Sequence, residues 1–495
     1  FRGATIKNIL GFESDYPDLK VFKLEQNYRS SETIVNAANS VIAKNKDQLE
    51  KKVWTQNNLG NKIKVLRAVT DNEEGRMIAQ NIFEAKMNEQ LHNSDFAILY
   101  RTNSQSRSLE EALRKLNIPY RIYGGTSFYQ RKEVKDLIAY LRLVLNNNDE
   151  EAFKRIINYP ARGIGKTSLE RLVVLASKHD LSLYQVIENA HLHPELKSTI
   201  AKFRDFVTMI KSFEVMEKNN NAYEIAMHIA KSTGLLKKLH EDKTVEGMNR
   251  YENVVELLNG IQEFTEDDTN ESEKNLSSYL QDIALLTDAD KDEDDNDKVS
   301  LMTIHQSKGL EYKNVFVSGL EENLFPSQMS LGSRSELEEE RRLFYVAITR
   351  AETSLTLSFA TSRFRFGSLL PSEPSRFIDE IDNQYLKMER RTVTRTSQKL
   401  ENSLAKQFSR GRTTNLKQTI SKQTQPRIVR PPAISNFVAD DMGDIAEGMR
   451  IEHQRFGIGV VKTLDGPTKK EKATIDFEEF GEKTLVLKFA KLRKA

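Results

Sequence analysis

From residue 19 to about 124, short β-rich runs alternate with helix-patterned ones: LKVFKLEQNY, SSETIVNAANSVIAKN, KIKVLRAV, NEEGRMIAQNIFEAKM, DFAILYRTN, SRSLEEALRKLN and YRIYG. In the first helical run Ile34, Val35, Ala38, Val41 and Ile42 recur at helical spacing. Strands that alternate with helices in this way imply a parallel sheet. The same grammar returns at 299–360 as VSLMTIH, KNVFVSGL, EEERRLFYVAITRAE and SLTLSFA. Between the two blocks, residues 125–290 are helical in pattern almost throughout, as in EVKDLIAYLRLVL and SLERLVVLASKH. The expected architecture is an α/β domain interrupted by an all-helical insertion.

Charge marks the remaining boundaries. Residues 266–298 hold 13 acidic and 3 basic side chains, net −10, and DADKDEDDND has no apolar anchor, so that run is expected to be a solvated loop where the insertion returns. Residues 387–430 show the reverse, with 12 Lys/Arg against 2 Glu in a Ser/Thr/Gln-rich run, the pattern of a disordered basic tether. That tether serves either as a DNA-backbone or partner-binding tail or as a plain soluble linker. Beyond it, MRIEH, GIGVVKTL, KATIDF and KTLVLKF alternate apolar and polar residues, with Gly457, Gly459 and Gly466 at expected turns, which predicts a small separate β-barrel at 446–495.

Over the 495 residues, 74 Lys/Arg against 72 Asp/Glu leave +2, so attraction to nucleic acid must come from local patches. The absence of Cys excludes a disulfide framework, a Cys-ligated metal site and a thiol nucleophile. A mean hydropathy of −0.57, with no apolar run of about 18 residues, predicts a soluble cytoplasmic protein. The chain opens on Phe1 rather than Met, and the expectation is that its parent extends beyond it.

Two motifs are decoys. GIGKTS at 163–168 contains the GKT of a phosphate-binding loop, but Pro160 stands where the loop needs its first Gly, and no strand precedes it. FIDEID at 377–382 looks like a Walker B acid pair, yet it follows no strand-like run and is expected on a helix surface. What the chain offers instead are arginines beside strand ends and Gly/Ser turns, where open parallel sheets bind ligands: QNYRS at 26–30, TIHQSKGLE at 303–311 and EEERRLFYVAITRAE at 338–352.

In this order the three segments resemble motifs IV, V and VI of the superfamily 1A DNA helicases, the UvrD/PcrA/Rep family. FRGATIKNILGFE resembles the tail of motif III and YRTNSQSR a further family motif. The resemblance implies a RecA-like domain 2A at 1–120 and 296–385, a helical domain 2B at 121–295, a basic linker at 386–445 and a Tudor-like (SH3-like) barrel at 446–495, with the family's 1A and 1B domains absent. It implies the C-terminal part of an ATP-dependent 3′→5′ helicase that translocates on single-stranded DNA in repair or replication.

The same resemblance assigns residues. Arg29 and Arg350 match the two γ-phosphate arginines, Tyr28 the residue that stacks on adenine and Glu311 the one that holds the ribose. Guanidinium forks suit that task because they present fixed donors and keep their proton. Phe1 and Phe366 match base-stacking shelves, Arg101, Asn103, Thr303 and His305 match DNA contacts, and Arg2 matches a residue coupling DNA to ATP. Gly163, Gly165 and Lys166 resemble the 2B turn that grips duplex DNA, while Trp54 is expected to pack rather than bind. ATP is the implied nucleotide, and the Mg²⁺ ligands and Walker lysine are expected in the missing domain, so the chain alone is predicted not to hydrolyse ATP. Single-stranded DNA, DNA junctions and RNA polymerase, the last through the barrel, are the implied partners. Two other classes stay open: a DNA-binding or polymerase-docking protein without a motor, and the helicase arm of a RecB- or AddA-like nuclease.

Overall fold

The run FAILY at Phe96–Tyr100 is buried at every position, which a strand tolerates only in a sheet covered on both faces. The computed structural model describes residues 11, 15–16, 18–48, 51–267, 273–288, 296–365, 368–388, 445–453, 457–465, 472–477, 481–487 and 492–494. The strands of the large sheet, numbered along the chain, are β1 (Ile63–Ala68), β2 (Phe96–Tyr100), β3 (Tyr120–Ile122), β4 (Val299–Thr303), β5 (Tyr312–Val317), β6 (Ala351–Ala360) and β7 (Leu386–Met388). They lie in the order β7-β1-β6-β5-β2-β4-β3, and every pairing is parallel.

Alternation along each strand feeds two layers. Ala97 and Leu99 join Ile34, Ala38 and Val41 of helix α1 (Glu32–Ile42). Phe96, Ile98 and Tyr100 point the other way, onto Ile78 and Ile82 of α2 (Asp71–Glu89) and Leu109 and Leu113 of α3 (Ser106–Lys115). Helix α2 starts cleanly because Thr70 accepts the Glu73 N–H, with Asp71, Glu73 and Glu74 in the first turn where the helix dipole favours acids.

The segment between β3 and β4 is helical, as its periodicity requires. It includes α4 (Lys132–Leu145), α5 (Lys166–His179), α6 (Val245–Glu266) and α7 (Leu276–Asp288). Its core is its own, built around Phe153, Phe203, Phe206, Phe213 and Leu257, and burial of each such ring contributes roughly 1.5–3 kcal/mol. Within the acidic stretch 266–298, α7 forms because Leu276, Tyr279 and Ile283 are buried, while most of DADKDEDDND, the expected solvated loop, lies outside the described residues. After β5, the chain runs through α8 (Arg334–Ile348), whose Leu343, Phe344, Ala347 and Ile348 cover the α1 face of the sheet. FIDEID is more than a helix surface, since Phe377, Ile378 and Ile381 insert into that same layer.

A buried polar joint fastens the insertion to the sheet. Arg107 of α3 donates to Glu256 (2.7 Å) and Glu263 (2.8 Å) of α6 and to Glu111 (3.3 Å), with Asp71 at 3.9 Å. Beside it Arg363 meets Glu321 (2.7 Å), Glu74 (2.7 Å) and Asp71 (3.7 Å). Asn259 of α6 completes the joint by donating to the Phe364 carbonyl at 3.0 Å.

The C-terminal unit carries five antiparallel strands, β8 (Arg450–His453), β9 (Gly457–Asp465), β10 (Lys472–Phe477), β11 (Gly481–Val486) and β12 (Leu492–Lys494), in the order β11-β10-β9-β8-β12. Ile451, Val461, Ala473, Ile475, Phe477 and Leu492 form its core. A register shift between Val461 and Thr463 bends β9. Among the described residues the two end strands do not pair, so the expected barrel is a curled open sheet. Gly459 lies inside β9 rather than at a turn; a Cβ there would sit 2.7 Å from the Phe477 ring. Gly457, with φ +72°, does occupy a turn conformation, and Gly466 and most of the basic tether lie outside the described residues.

Candidate functional sites on two edges of the sheet

Four of the sequence candidates meet at the amino ends of β5 and β6. Glu311 immediately precedes β5 and Arg350 immediately precedes β6. Residues 26–31 are held beside them: Asn27 accepts the N–H groups of Arg29 and Ser30, both at 2.8 Å, Ser30 Oγ donates to the Ala351 carbonyl (2.7 Å), and Ser31 N–H to Glu352 (2.9 Å). Gly60 closes over this turn at φ +75°, where a Cβ would stand 2.5 Å from that of Ser31.

Arg29 donates through Nε to the Glu311 carboxylate and through Nη1 to the Thr349 carbonyl at 3.1 Å. Arg350 reaches only uncharged oxygens among the described residues: Val346 carbonyl (3.0 Å), Leu310 carbonyl (2.9 Å) and Thr349 Oγ1 (3.2 Å). Burial, and then the Arg29 charge, hold the Arg350 guanidinium below its ordinary value. Two cations beside a single carboxylate leave a net positive cluster able to meet an anion. Tyr28 stands beside them 79% exposed, tethered by its hydroxyl to Gln26 at 2.8 Å. Open parallel sheets usually hold ligands at their carboxyl ends, so the arginine cluster lies on the opposite edge from that rule.

The carboxyl edge carries the second set. Tyr100 and Thr303 are register partners at the ends of β2 and β4, which brings Arg101 and Asn103 beside Thr303 and His305. Gln105 shapes the first loop by accepting from the N–H groups of Arg101 (2.9 Å) and Thr102 (2.8 Å). Gln306 does the same for Thr303, accepting from its N–H (3.0 Å) and hydroxyl (2.9 Å). Arg131 adds a donor to the Asn103 carbonyl at 2.9 Å, leaving the Asn103 side chain on an exposed residue. The Arg101 guanidinium is not idle; its Nε and Nη2 fork onto Glu340 of α8, the shortest contact 2.7 Å. His305 is exposed at its residue surface, yet crowding of the ring and then the Arg101 charge lower its pKa, with Glu340 opposing. Phe1, Arg2 and the Phe366 shelf lie outside the described residues.

The two edges are joined by Ile304–Glu311, which passes from the end of β4 to the start of β5 without a helix. Ile304 and Ser307 are buried beneath it, and Gly309 takes φ +90°.

GIGKTS follows the helix Glu150–Ile156 and opens α5, the context of a helix–helix turn. Gly163 takes φ +69° and accepts from Lys202 Nζ at 2.6 Å. Asn158 accepts the N–H groups of Arg162 (2.8 Å) and Ile164 (3.0 Å). Gly165 is an N-cap with no side-chain bond and Lys166 is 90% exposed at its side chain, so the turn turns N–H groups and a cation to solvent. Trp54 departs from expectation: it sits in a two-residue strand against Gln26–Asn27 and remains 44% exposed.

Sequence reasoning missed Asn27, Gln105, Arg131 and Glu340. Gln105 had a local signal, since Thr102-x-x-Gln105 forms a capping box. Glu340 stood inside EEERRLFYVAITRAE, but its pairing with Arg101, 239 residues away, left no local trace.

Residues 22–362 match the UvrD-like helicase C-terminal domain and residues 448–494 the PcrA/UvrD tudor domain. All of this chain aligns with the ATP-dependent DNA helicase PcrA of Leuconostoc citreum at 36% identity over 500 residues. It aligns with the PcrA of Staphylococcus aureus (strain Mu50) at 36% over 496 residues, and with that of Bacillus subtilis (strain 168) at 38% over 504. The chain spans 65% of the length of each of these relatives.

Proposed function

Because the chain belongs to the UvrD-like helicase C-terminal domain family, we propose that it supplies the arginine fingers and the DNA-tracking edge of an ATP-dependent 3′→5′ DNA helicase working in repair or replication. The observation that carries this reading is the convergence of Arg29 and Glu311, 282 residues apart, with Arg350 on one sheet edge. A docking protein without a motor, or a simple DNA clamp, has no use for that cluster.

In this reading ATP is the substrate and its hydrolysis supplies the free energy. Arg29 and Arg350 meet the negative charge of the phosphates, for which their present carbonyl partners are easily exchanged. Tyr28 offers its exposed ring to adenine and Glu311 an acceptor to the ribose. The Walker lysine and the Mg²⁺-binding acids are assigned to a second RecA-like domain, since these 495 residues contain no phosphate-binding loop. The cleft between the domains closes on ATP and reopens after hydrolysis, moving single-stranded DNA along the opposite edge.

Arg101, Asn103, Thr303 and His305 hold the strand there, with Phe1 and Phe366 as stacking shelves worth about 1–3 kcal/mol per base and Arg2 as coupling residue. Gly163, Gly165 and Lys166 grip the duplex ahead. The C-terminal sheet docks a protein partner, RNA polymerase among the candidates, and the whole acts in the cytoplasm; no helix among the described residues is long and apolar enough to cross a membrane.

The test is single-stranded-DNA-stimulated ATP hydrolysis by a protein carrying both RecA-like domains. Arg350→Ala is expected to lower turnover about 10³-fold or more, as removal of arginine fingers does, with DNA binding retained. Residues 1–495 alone are expected at background. Full turnover by Arg350→Ala would remove the finger assignment, and an inactive parent that still binds DNA would favour the docking reading.

A further inference from the structure

Glu340 has no part in the function proposed above, yet it occupies the middle of the carboxyl edge. It is 8% exposed and takes the Arg101 fork on both oxygens (Nε at 3.2 Å to each, Nη2 at 2.7 Å). It also accepts the Ser327 N–H at 3.2 Å, and its charge acts on His305. A carboxylate here repels the phosphates that the neighbouring residues are meant to attract. Its place needs another explanation.

That explanation lies along α8. The helix carries Glu340 near its middle, and Arg350 follows immediately after its C-cap, Thr349. Ten residues of helix put the two about 15 Å apart along one axis. The last turn is closed by Thr349 N–H to Tyr345 (3.1 Å) and Arg350 N–H to Ala347 (3.2 Å). With Leu343, Phe344, Ala347 and Ile348 buried, the helix is a packed, rigid element rather than one free to bend. The middle of this rod is forked to the DNA edge and its C-terminal end bears the finger.

We propose that Glu340 is a positioning residue that ties Arg101 to α8, so that DNA engaged by Arg101 displaces the helix carrying Arg350. The fork is what makes the tie directional, since a bidentate guanidinium–carboxylate pair fixes orientation as well as distance. The inference rests on the DNA reading of Arg101 above.

Amide hydrogen exchange of the 495-residue chain, with and without saturating oligothymidylate, tests it. In the unaltered chain, oligothymidylate is expected to change exchange across Val346–Ala351 several-fold. Glu340→Gln keeps the side-chain shape and removes the charge; it is expected to bind the oligonucleotide while leaving Val346–Ala351 unmoved. Should that variant fold poorly, Glu340→Asp keeps the charge but draws the carboxylate back from the Arg101 fork, and is expected to give the same silence with the oligonucleotide still bound. A variant that transmits as the unaltered chain does overturns the proposal, as does an unaltered chain that binds without any change at Val346–Ala351. An unaltered chain that does not bind oligothymidylate overturns the DNA reading itself, and this inference with it.

Discussion

Two arginine pairs in this molecule have opposite surroundings. Arg107 and Arg363, in the joint between sheet and insertion, are 2% and 10% exposed at their side chains and ringed by Asp71, Glu74, Glu111, Glu256, Glu263 and Glu321. Those carboxylates outweigh the cost of burial and hold both guanidiniums well above their ordinary value. Arg29 pairs with Glu311, whereas Arg350 bonds to no carboxylate among the described residues and is pushed below its ordinary value by burial and by Arg29. A guanidinium saturated with carboxylates joins parts of a fold. One resting on carbonyls, beside another cation, fastens nothing so firmly. Partner chemistry, not burial or proximity to a motif, separates the two pairs.

The contrast predicts a hierarchy. Arg107→Ala leaves buried carboxylates without their cation and is expected to cost about 3–5 kcal/mol in a urea titration, whereas Arg350→Ala, which breaks bonds to carbonyls only, costs roughly 1 kcal/mol or less. Equal losses for the two would erase the distinction. Next comes Gly260→Ala in α6. Glycine to alanine within a helix ordinarily gains about 1 kcal/mol, but here the new Cβ would stand 2.9 Å from Arg107 Nη1. Because that guanidinium is pinned by its ion pairs, a net loss of about 1–2 kcal/mol is expected; a gain would mean that the joint is looser than its contacts imply.

The smallest effect is on pH dependence. Around Arg107 four acids share one cation, and burial, with Asp71 next, raises Glu263 well above its ordinary value. The folded chain then releases the Glu263 proton at a higher pH than the unfolded chain does. This contribution is fully present below the ordinary carboxylate range and is lost as pH rises through the elevated folded value. Glu263→Gln should therefore flatten the fall in stability between mildly acidic and neutral pH, read from urea midpoints across that range. An unchanged slope would assign the titration to Glu74 or Glu256, which are raised too.

Local pattern carried much of this structure. FAILY and the helix spacing of Ile34, Val41 and their neighbours encode a covered parallel strand and its packing helix within a few residues of chain. The motif residues Arg29, Glu311 and Arg350 were legible for the same reason, each lying in a distinctive short segment. Net charge over a window says little by itself: the acidic stretch also holds the three apolar anchors of α7, because acids on the solvent face do not prevent burial of the other. Pairings across long separations left no local trace. Arg107 finds Glu256 and Glu263 at 149 and 156 residues' distance, and Arg101 finds Glu340 only once the sheet has formed. Nor did the motifs reveal that their residues divide between opposite edges, which depends on strand direction and order alone.

The helix-free passage from β4 to β5 leaves little slack. The two strands flank β2 in the sheet, and parallel strands are commonly joined by a dozen or more residues, but Ile304–Glu311 makes the return directly. A five-residue strand is about 17 Å long, and eight residues reach at most about 29 Å when fully stretched, less once the turns at Ile304–Gly309 are counted. The segment behaves as a stay rather than a spring. Its length is fixed by the width of the sheet, so insertions and deletions that exposed loops absorb freely would here drag Thr303 and Tyr312 out of step.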